Sequence, residues 1–496
     1  MNKTKVIFLL LSIFSLFLIS CTATSAGNDD EDGPFEDAIR EAAREKGLQL
    51  PLSEDDFEKL PLELQEFELT YELLDMYYLY GHMKDELGSR NDYYAKAKGT
   101  PYEALPYGDI YYMFDQMSCP FTNYFDPSLY DRLTDLLYYS EYGVGFGFRL
   151  DTIEHTPNES AVISNVYPDG PAQKAGLMDG DIIVSVNNID ATREYIEHLE
   201  ESSKNGDTYE FVIERGSEID TVYLVAGQTQ APTVFVNYRG DIPMITITEF
   251  TDTTIMNSGT YGEFKEALQQ TEGAKATIIN LADNGGGSVD HCESMAAELL
   301  PKETLLGYTI SAEIDSSKDM VGNVFYEQII DTSKMYASTY EKTEGGSAKD
   351  RYIVFIENGN SASCAELMIA AVTSAKNAPV VGTRSFGKGI GQFYIPTIAG
   401  GYAGITNVQF LDKNKNTYHA YGIEPDVIKT NLKDAVDAAF EIAKEGTMVR
   451  TAGYSDTPSG HFALTRRTAT FKDPRNLTRR DYFGAFRIKK HPKHSK

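Results

Sequence analysis

Three short segments hold residue types that could together hydrolyse an amide. Asn360-Ser361-Ala362-Ser363-Cys364-Ala365-Glu366 follows the strand-like run Tyr352–Glu357 and leads into a helical run. A serine there sits at a strand–turn–helix junction, where the first helical N–H groups lack internal partners and the helix dipole favours negative charge. A serine hydroxyl is a weak nucleophile at its own pKa, so hydrolysis needs a base beside it and donors around the developing oxyanion. The backbone N–H of Cys364 is a natural oxyanion donor. Alone, Ser363 is an ordinary N-cap. Phe386-Gly387-Lys388-Gly389, followed by Gln392, offers the base. Lys388 must then fall from a pKa of roughly 10.4 towards 7, a change of about 4–5 kcal/mol in preference for the charged form. Desolvation does this, and the flanking glycines let backbone close around the amine. Gln392 can orient that amine without adding a charge. Asn284-Gly285-Gly286-Gly287, after the apolar run Ala276–Leu281, permits backbone geometry that only glycine adopts freely and can turn a second N–H towards the reacting carbonyl.

These segments must be carried by a scaffold, and the chain shows three kinds. Residues 35–140 are predicted helical, with Leu69, Leu73, Met76 and Tyr80 on one face and a second helix at Tyr111, Tyr112, Phe114 and Met117. Residues 141–229 change to short strands (Ala161–Val166, Ile182–Val186, Phe211–Glu214, Thr221–Val225) around one helix, Thr192–Ser203. Residues 230–446 alternate strands with helices: Met244–Thr248, Ala276–Leu281, Tyr352–Glu357, Pro379–Gly382 and Ala403–Phe410 against Val289–Leu300, Ala365–Lys376 and Leu432–Lys444. That alternation predicts an α/β domain, and the whole chain a multidomain α+β protein.

Gly143-Val144-Gly145-Phe146-Gly147 opens the middle region, and Pro171-Ala172-Gln173-Lys174-Ala175-Gly176-Leu177 precedes Asp179-Gly180-Asp181-Ile182. Together these segments resemble a PDZ domain. In such domains the glycine-rich loop aims backbone N–H groups at a terminal carboxylate while the peptide adds as an extra strand. Gly143, Val144, Gly145 and Phe146 are therefore the expected substrate-binding residues.

The order and spacing of all these motifs resembles the carboxy-terminal processing (tail-specific) serine proteases. The lysine of Phe386-Gly387-Lys388-Gly389 stands 25 residues after Ser363, with the Asn-Gly-Gly-Gly turn upstream, Gly422-Ile423-Glu424-Pro425-Asp426-Val427 downstream, and Pro120-Phe121-Thr122-Asn123-Tyr124-Phe125-Asp126-Pro127 before the PDZ region. The resemblance implies a crotonase-like α/β protease core and a Ser363/Lys388 dyad assisted by Gln392. It also implies oxyanion donors at Cys364 and one of Gly286 or Gly287. One departure is Leu281-Ala282-Asp283, where the family often has Leu-Arg; this weakens any anchoring role for the missing arginine. The implied partners are proteins or peptides with accessible C-termini. The rival reading is a catalytically inactive PDZ-containing lipoprotein adaptor; an acyl-transfer role lacks a nucleotide-gripping motif. His291, near the glycine turn, is expected on a half-exposed helix face rather than as the base.

The chain's ends suggest where it works. Lys3 and Lys5 precede Val6–Ser20, about the length of a signal-peptide core and short for a membrane span. Leu18-Ile19-Ser20-Cys21 resembles the lipobox of bacterial lipoproteins, so residues 1–20 are expected to be a signal peptide and Cys21 the lipidation site. The acidic stretch 21–34 reads as a tether. A bacterial cell envelope location with a lipid anchor follows. Beyond Cys21, the three cysteines cannot all pair with one another, and no Cys/His spacing suits a metal; no cofactor is expected. Residues 461–496 hold eleven Lys or Arg against two Asp, a net +9, which leaves −38 on the first 460 of a chain with net charge −29. So acidic a body would repel nucleic acid. The basic segment 447–496 is expected to be a disordered tail.

Overall fold

The computed structural model describes residues 33–84, 86–140, 142–151, 161–311, 336–339 and 345–446. The signal segment, Cys21, most of the tether and the basic tail lie outside the described residues. No helix among the described residues is long and apolar enough to cross a membrane.

The N-terminal unit packs helices α1 (Pro34–Lys46), α2 (Leu62–Tyr77), α3 (Leu79–Lys84) and α4 (Gly108–Asp115) around an aromatic-rich core. Leu69, Leu73 and Met76 lie buried on α2, but the helix stops at Tyr78, whose ψ of 109° is extended, so Tyr80 belongs to α3. Tyr78 is fully buried there; its hydroxyl donates to Glu86 and accepts from the N–H of Cys119. The unit is not separate from the core. Its last segment forms β1 (Asn123–Phe125), and Glu66 of α2 accepts from the Tyr124 hydroxyl and from the N–H of Ala399. Helix α5 (Tyr130–Tyr138) leads out of it.

The middle unit runs β2 (Tyr142–Gly145), β3 (Phe148–Leu150), β4 (Ala161–Val166), α6 (Pro171–Ala175), β5 (Ile182–Val186), α7 (Arg193–Ser202), β6 (Thr208–Arg215), β7 (Glu218–Val225) and β8 (Gly227–Gln230). One sheet follows the order β3-β4-β5-β6-β7, with Ile189–Asp190 folding back on β5, and β2 pairs separately with β8. Strand β3 is therefore an edge strand.

The last unit contains β9 (Val234–Arg239), β10 (Ile242–Ile247), α8 (Gly259–Gln270), β11 (Ala276–Asn280), α9 (Val289–Glu298), β12 (Leu305–Ser311), β13 (Tyr336–Thr339) and β14 (Tyr352–Glu357). It continues with α10 (Cys364–Ala375), β15 (Val380–Gly382), β16 (Ile390–Pro396), β17 (Tyr402–Asp412), β18 (Val427–Ile428) and α11 (Leu432–Gly446). Its main sheet has the order β9-β10-β11-β14-β15-β18, parallel except at β9–β10. Helices cover both faces, so the central strands are mostly apolar. Ile245, Ile279, Ile353 and Phe355 pack towards α8, α9 and α10, while Met244, Ile278, Val354 and Ile356 pack on α11. A second, antiparallel sheet, β1-β17-β12-β13 with β16 also on β17, fastens the N-terminal unit to the core.

Candidate active site

The site is built where the parallel strands end. Strand β11 runs into the glycine turn, β14 into the serine turn, and the two turns are laced together. The Ser361 hydroxyl donates to the Leu281 carbonyl at 2.8 Å, and the Ala362 N–H donates to the Asn284 carbonyl at 2.9 Å. Ser363 then takes φ 55° and ψ −117°, a conformation that non-glycine residues rarely adopt. It is half-buried, the last residue before α10.

Glu366, three residues on, holds it there. The Ser363 N–H donates to Glu366 Oε2 at 3.0 Å, a helix-start arrangement of the capping-box kind. The same oxygen accepts the N–H of Lys388 at 2.7 Å; the other oxygen accepts the N–H of Gly387 at 2.6 Å and the hydroxyl of Ser385 at 2.5 Å. Burial of this carboxylate favours the neutral acid, and four donors oppose it by favouring the anion. Burial wins part of this contest and leaves the carboxyl at about 7. One side chain thus ties the serine turn to the lysine loop.

Lys388 is 1% exposed. Burial brings its amine down to about 8, opposed by the nearby Cys119, Cys364 and Glu366. The amine lies 4.5 Å from the centre of the Phe121 ring. Phe121 comes from the N-terminal unit, so that unit supplies a wall of the lysine's pocket. The same segment brings in Cys119, whose thiol meets Thr406 Oγ1 at 3.1 Å. Gln392 lies on β16, not in a loop, and its amide donates to the same Thr406 Oγ1 at 3.2 Å.

The glycine turn lies directly against the serine. A Cβ on Gly286 (φ +104°) would come within 2.6 Å of Ser363 Cβ and 3.0 Å of the Cys364 nitrogen. The N–H of Gly286 is engaged by Asn284 Oδ1 at 2.8 Å. Gly287 pairs with Phe250 as a parallel bridge, and a Cβ there would collide with the Phe250 carbonyl. Among the described backbone hydrogen bonds, the N–H groups of Gly287 and Cys364 donate to nothing. The Cys364 thiol is buried and donates to the Gly287 carbonyl at 3.3 Å, which fixes the glycine turn against the helix start. His291 faces elsewhere: its Nδ1 accepts from the Tyr261 N–H and its Nε2 lies 3.4 Å from Asp252.

The glycine-rich loop of the middle unit is partly strand. Gly143, Val144 and Gly145 form most of β2, opposite Thr229, Gln228 and Gly227 of β8. The Phe146 ring is fully buried, against Tyr209 and Phe211. Glu366 and Phe121 stand in sequence motifs that assign them no role, and Thr406 stands in none. The signal for Glu366 was its position three residues after a helix-start serine; nothing in the sequence places Phe121 over Lys388.

Residues 241–428 match the model of Peptidase family S41, and residues 162–201 match the PDZ domain. A probable CtpA-like serine protease of Staphylococcus haemolyticus is 26% identical over 273 residues, 54% of this chain and 50% of that protein. Its namesake in Staphylococcus aureus strain N315 is 26% identical over 274 residues, with the same coverage. The chain thus spans about half the length of the curated relatives it matches. The crystal structure of a putative S41 protease from Bacteroides fragilis superposes with a TM-score of 0.51 at 15% identity, covering 76% of this chain and 97% of that one, a likeness of fold.

Proposed function

We infer that this chain, which carries a family S41 peptidase domain joined to a PDZ domain, is a membrane-anchored serine endopeptidase acting on exported proteins or peptides. Ser363 is the nucleophile and Lys388 its general base. The observation that carries this reading is the Glu366 carboxylate, which binds the backbone of both residues while Lys388 is buried with its pKa brought down to about 8. A lysine in that state is partly neutral at pH 7–8 and can take a proton.

In the reaction, Lys388 Nζ accepts the proton of Ser363 Oγ as the oxygen attacks a peptide carbonyl. The tetrahedral anion is held by the N–H groups of Cys364 and Gly287, because that of Gly286 already serves Asn284. Each such donor is worth about 3–4 kcal/mol in the transition state. Lys388 returns the proton to the leaving amine, and water resolves the acyl-enzyme. Gln392 and Thr406 orient the pocket around the amine. The PDZ domain recruits substrates by their C-terminal tails, and Cys21 ties the chain to the membrane of a bacterial cell envelope by a lipid.

The test is cleavage of casein, an unstructured protein, by the native chain beside Ser363→Ala and Lys388→Ala. Fragments should form with the native chain alone. Cleavage that persists in Ser363→Ala overturns the assignment; no cleavage by any of the three favours a tethered peptide-binding adaptor.

A further inference from the structure

The PDZ groove already holds a carboxylate of its own. Glu200 lies in the last turn of α7, and its Oε1 accepts the N–H of Phe146 at 2.8 Å. The fit is close: a Cβ on Gly145 would stand 2.8 Å from that same oxygen, so glycine is needed for the carboxylate to approach. The placement runs against the helix dipole, which disfavours an anion at a helix C-terminus. The loop N–H compensates for it.

The opposite end of α7 is also fastened to this segment. Arg193 donates through Nη1 to the Asp151 carbonyl at 3.0 Å. Helix α7 therefore spans residues 146–151, clasped by Glu200 at the loop end and by Arg193 at the far end. Between the clasps lies edge strand β3, whose outer edge is where an added peptide strand would pair. A peptide entering there would bring its terminal carboxylate to the Phe146 N–H.

The geometry points to Glu200 as the residue that sets what this loop accepts: an internal carboxylate that a substrate's C-terminal carboxylate must displace. This rests on the proposal that the PDZ domain docks tails. Two carboxylates cannot share one N–H without strong repulsion, so a tail gains little from its terminal charge until Glu200 leaves. Discrimination between free and blocked C-termini is consequently weak in the native chain, and recognition falls on the side chains before the terminus.

The experiment uses full-length protein carrying Ser363→Ala, which removes cleavage, with and without Glu200→Ala. Two fluorescent decapeptide pools are titrated, identical and ending in an apolar residue, one as free acids and one as carboxamides. The expected affinity ratio, acid over amide, is near one with Glu200 present. It should rise at least tenfold in Glu200→Ala, through tighter binding of the acids alone, and less in Glu200→Gln, which keeps an acceptor without the charge. A native chain that prefers the acids as strongly as Glu200→Ala does overturns the role of Glu200 and leaves tail docking standing. Binding of both pools that tightens equally in Glu200→Ala also overturns it. Failure of both variants to bind either pool removes the tail-docking proposal itself, and the role of Glu200 with it.

Discussion

The backbone N–H groups of Ser363 and Lys388 donate to the same atom, Oε2 of Glu366, at 3.0 and 2.7 Å. Two residues 25 positions apart are thereby set in register by one buried carboxylate, whose second oxygen serves Gly387 and Ser385. A glutamine in this place has one acceptor oxygen and an NH2 group that faces two donors. Glu366→Gln should lower kcat/KM at least 100-fold. Each buried donor left unpaired costs about 1–3 kcal/mol, so urea unfolding should show a clear loss of stability. A variant within threefold of native activity would contradict the linking role.

The base role proposed for Lys388 requires a neutral amine, whose pKa burial brings down to about 8. The rate on a peptide substrate should rise with pH through that value and level off above it, falling about tenfold per unit well below it. A profile flat from pH 6 to 9 would exclude lysine as the base.

The same shift acts on stability. The unfolded lysine titrates near 10.5 and the folded one near 8. Between those values the unfolded chain holds a proton that the folded chain has released, so stability rises with pH across that window. Below about 8 both states are protonated and the folded state bears the whole cost, about 3 kcal/mol. Lys388→Met should abolish cleavage and yet raise the melting temperature at pH 7, with the gain fading towards pH 10. An equal gain at both pH values would assign the effect to packing instead.

Phe121 presents its ring to the Lys388 amine at 4.5 Å. The ring attracts the cation, worth about 0.5–2 kcal/mol, but it also excludes water, and burial is the larger influence on this amine. Phe121→Ala should therefore move the midpoint of the rate–pH profile upward and reduce activity more at pH 7 than at pH 10. A downward shift would mean that cation–π attraction outweighs dehydration.

Much of this was legible in the sequence because it depends on local pattern. Strand Tyr352–Glu357 was predicted to the residue, and the strand–turn–helix junction at Ser363 followed from an apolar run ending in small polar residues. Strand Ile390–Pro396 is not among the expected ones: its pattern is interrupted by Gly391, and it becomes a strand by pairing with β17 through a bulge at Gly391/Gln392. Tyr80, expected on the helix face of Leu69, Leu73 and Met76, falls on the next helix, and the Tyr78 at the break is held by contacts to Glu86 and Cys119. Gly286 and Gly287 could not be told apart from spacing, since what separates them is the Asn284 side chain bonded to one. Pairings within a turn can be read from order; those between distant segments need the fold.

The glycine turn allows a controlled comparison. Gly286 and Gly400 both hold positive φ, +104° and +91°, so alanine strains the backbone at either site, by about 1–3 kcal/mol. They differ in surroundings: a Cβ at Gly400 meets nothing within 4 Å, whereas at Gly286 it strikes Ser363 Cβ and crowds the Cys364 nitrogen. Gly400→Ala should lose some stability and keep its turnover. Gly286→Ala must push the serine turn away from the glycine turn, and displacement of about 1 Å in a catalytic group can cost 100-fold or more. Measured side by side for urea midpoint and kcat, the two should separate in kcat far more than in midpoint. If Gly286→Ala loses only what Gly400→Ala loses, the close approach of the two turns has no part in catalysis.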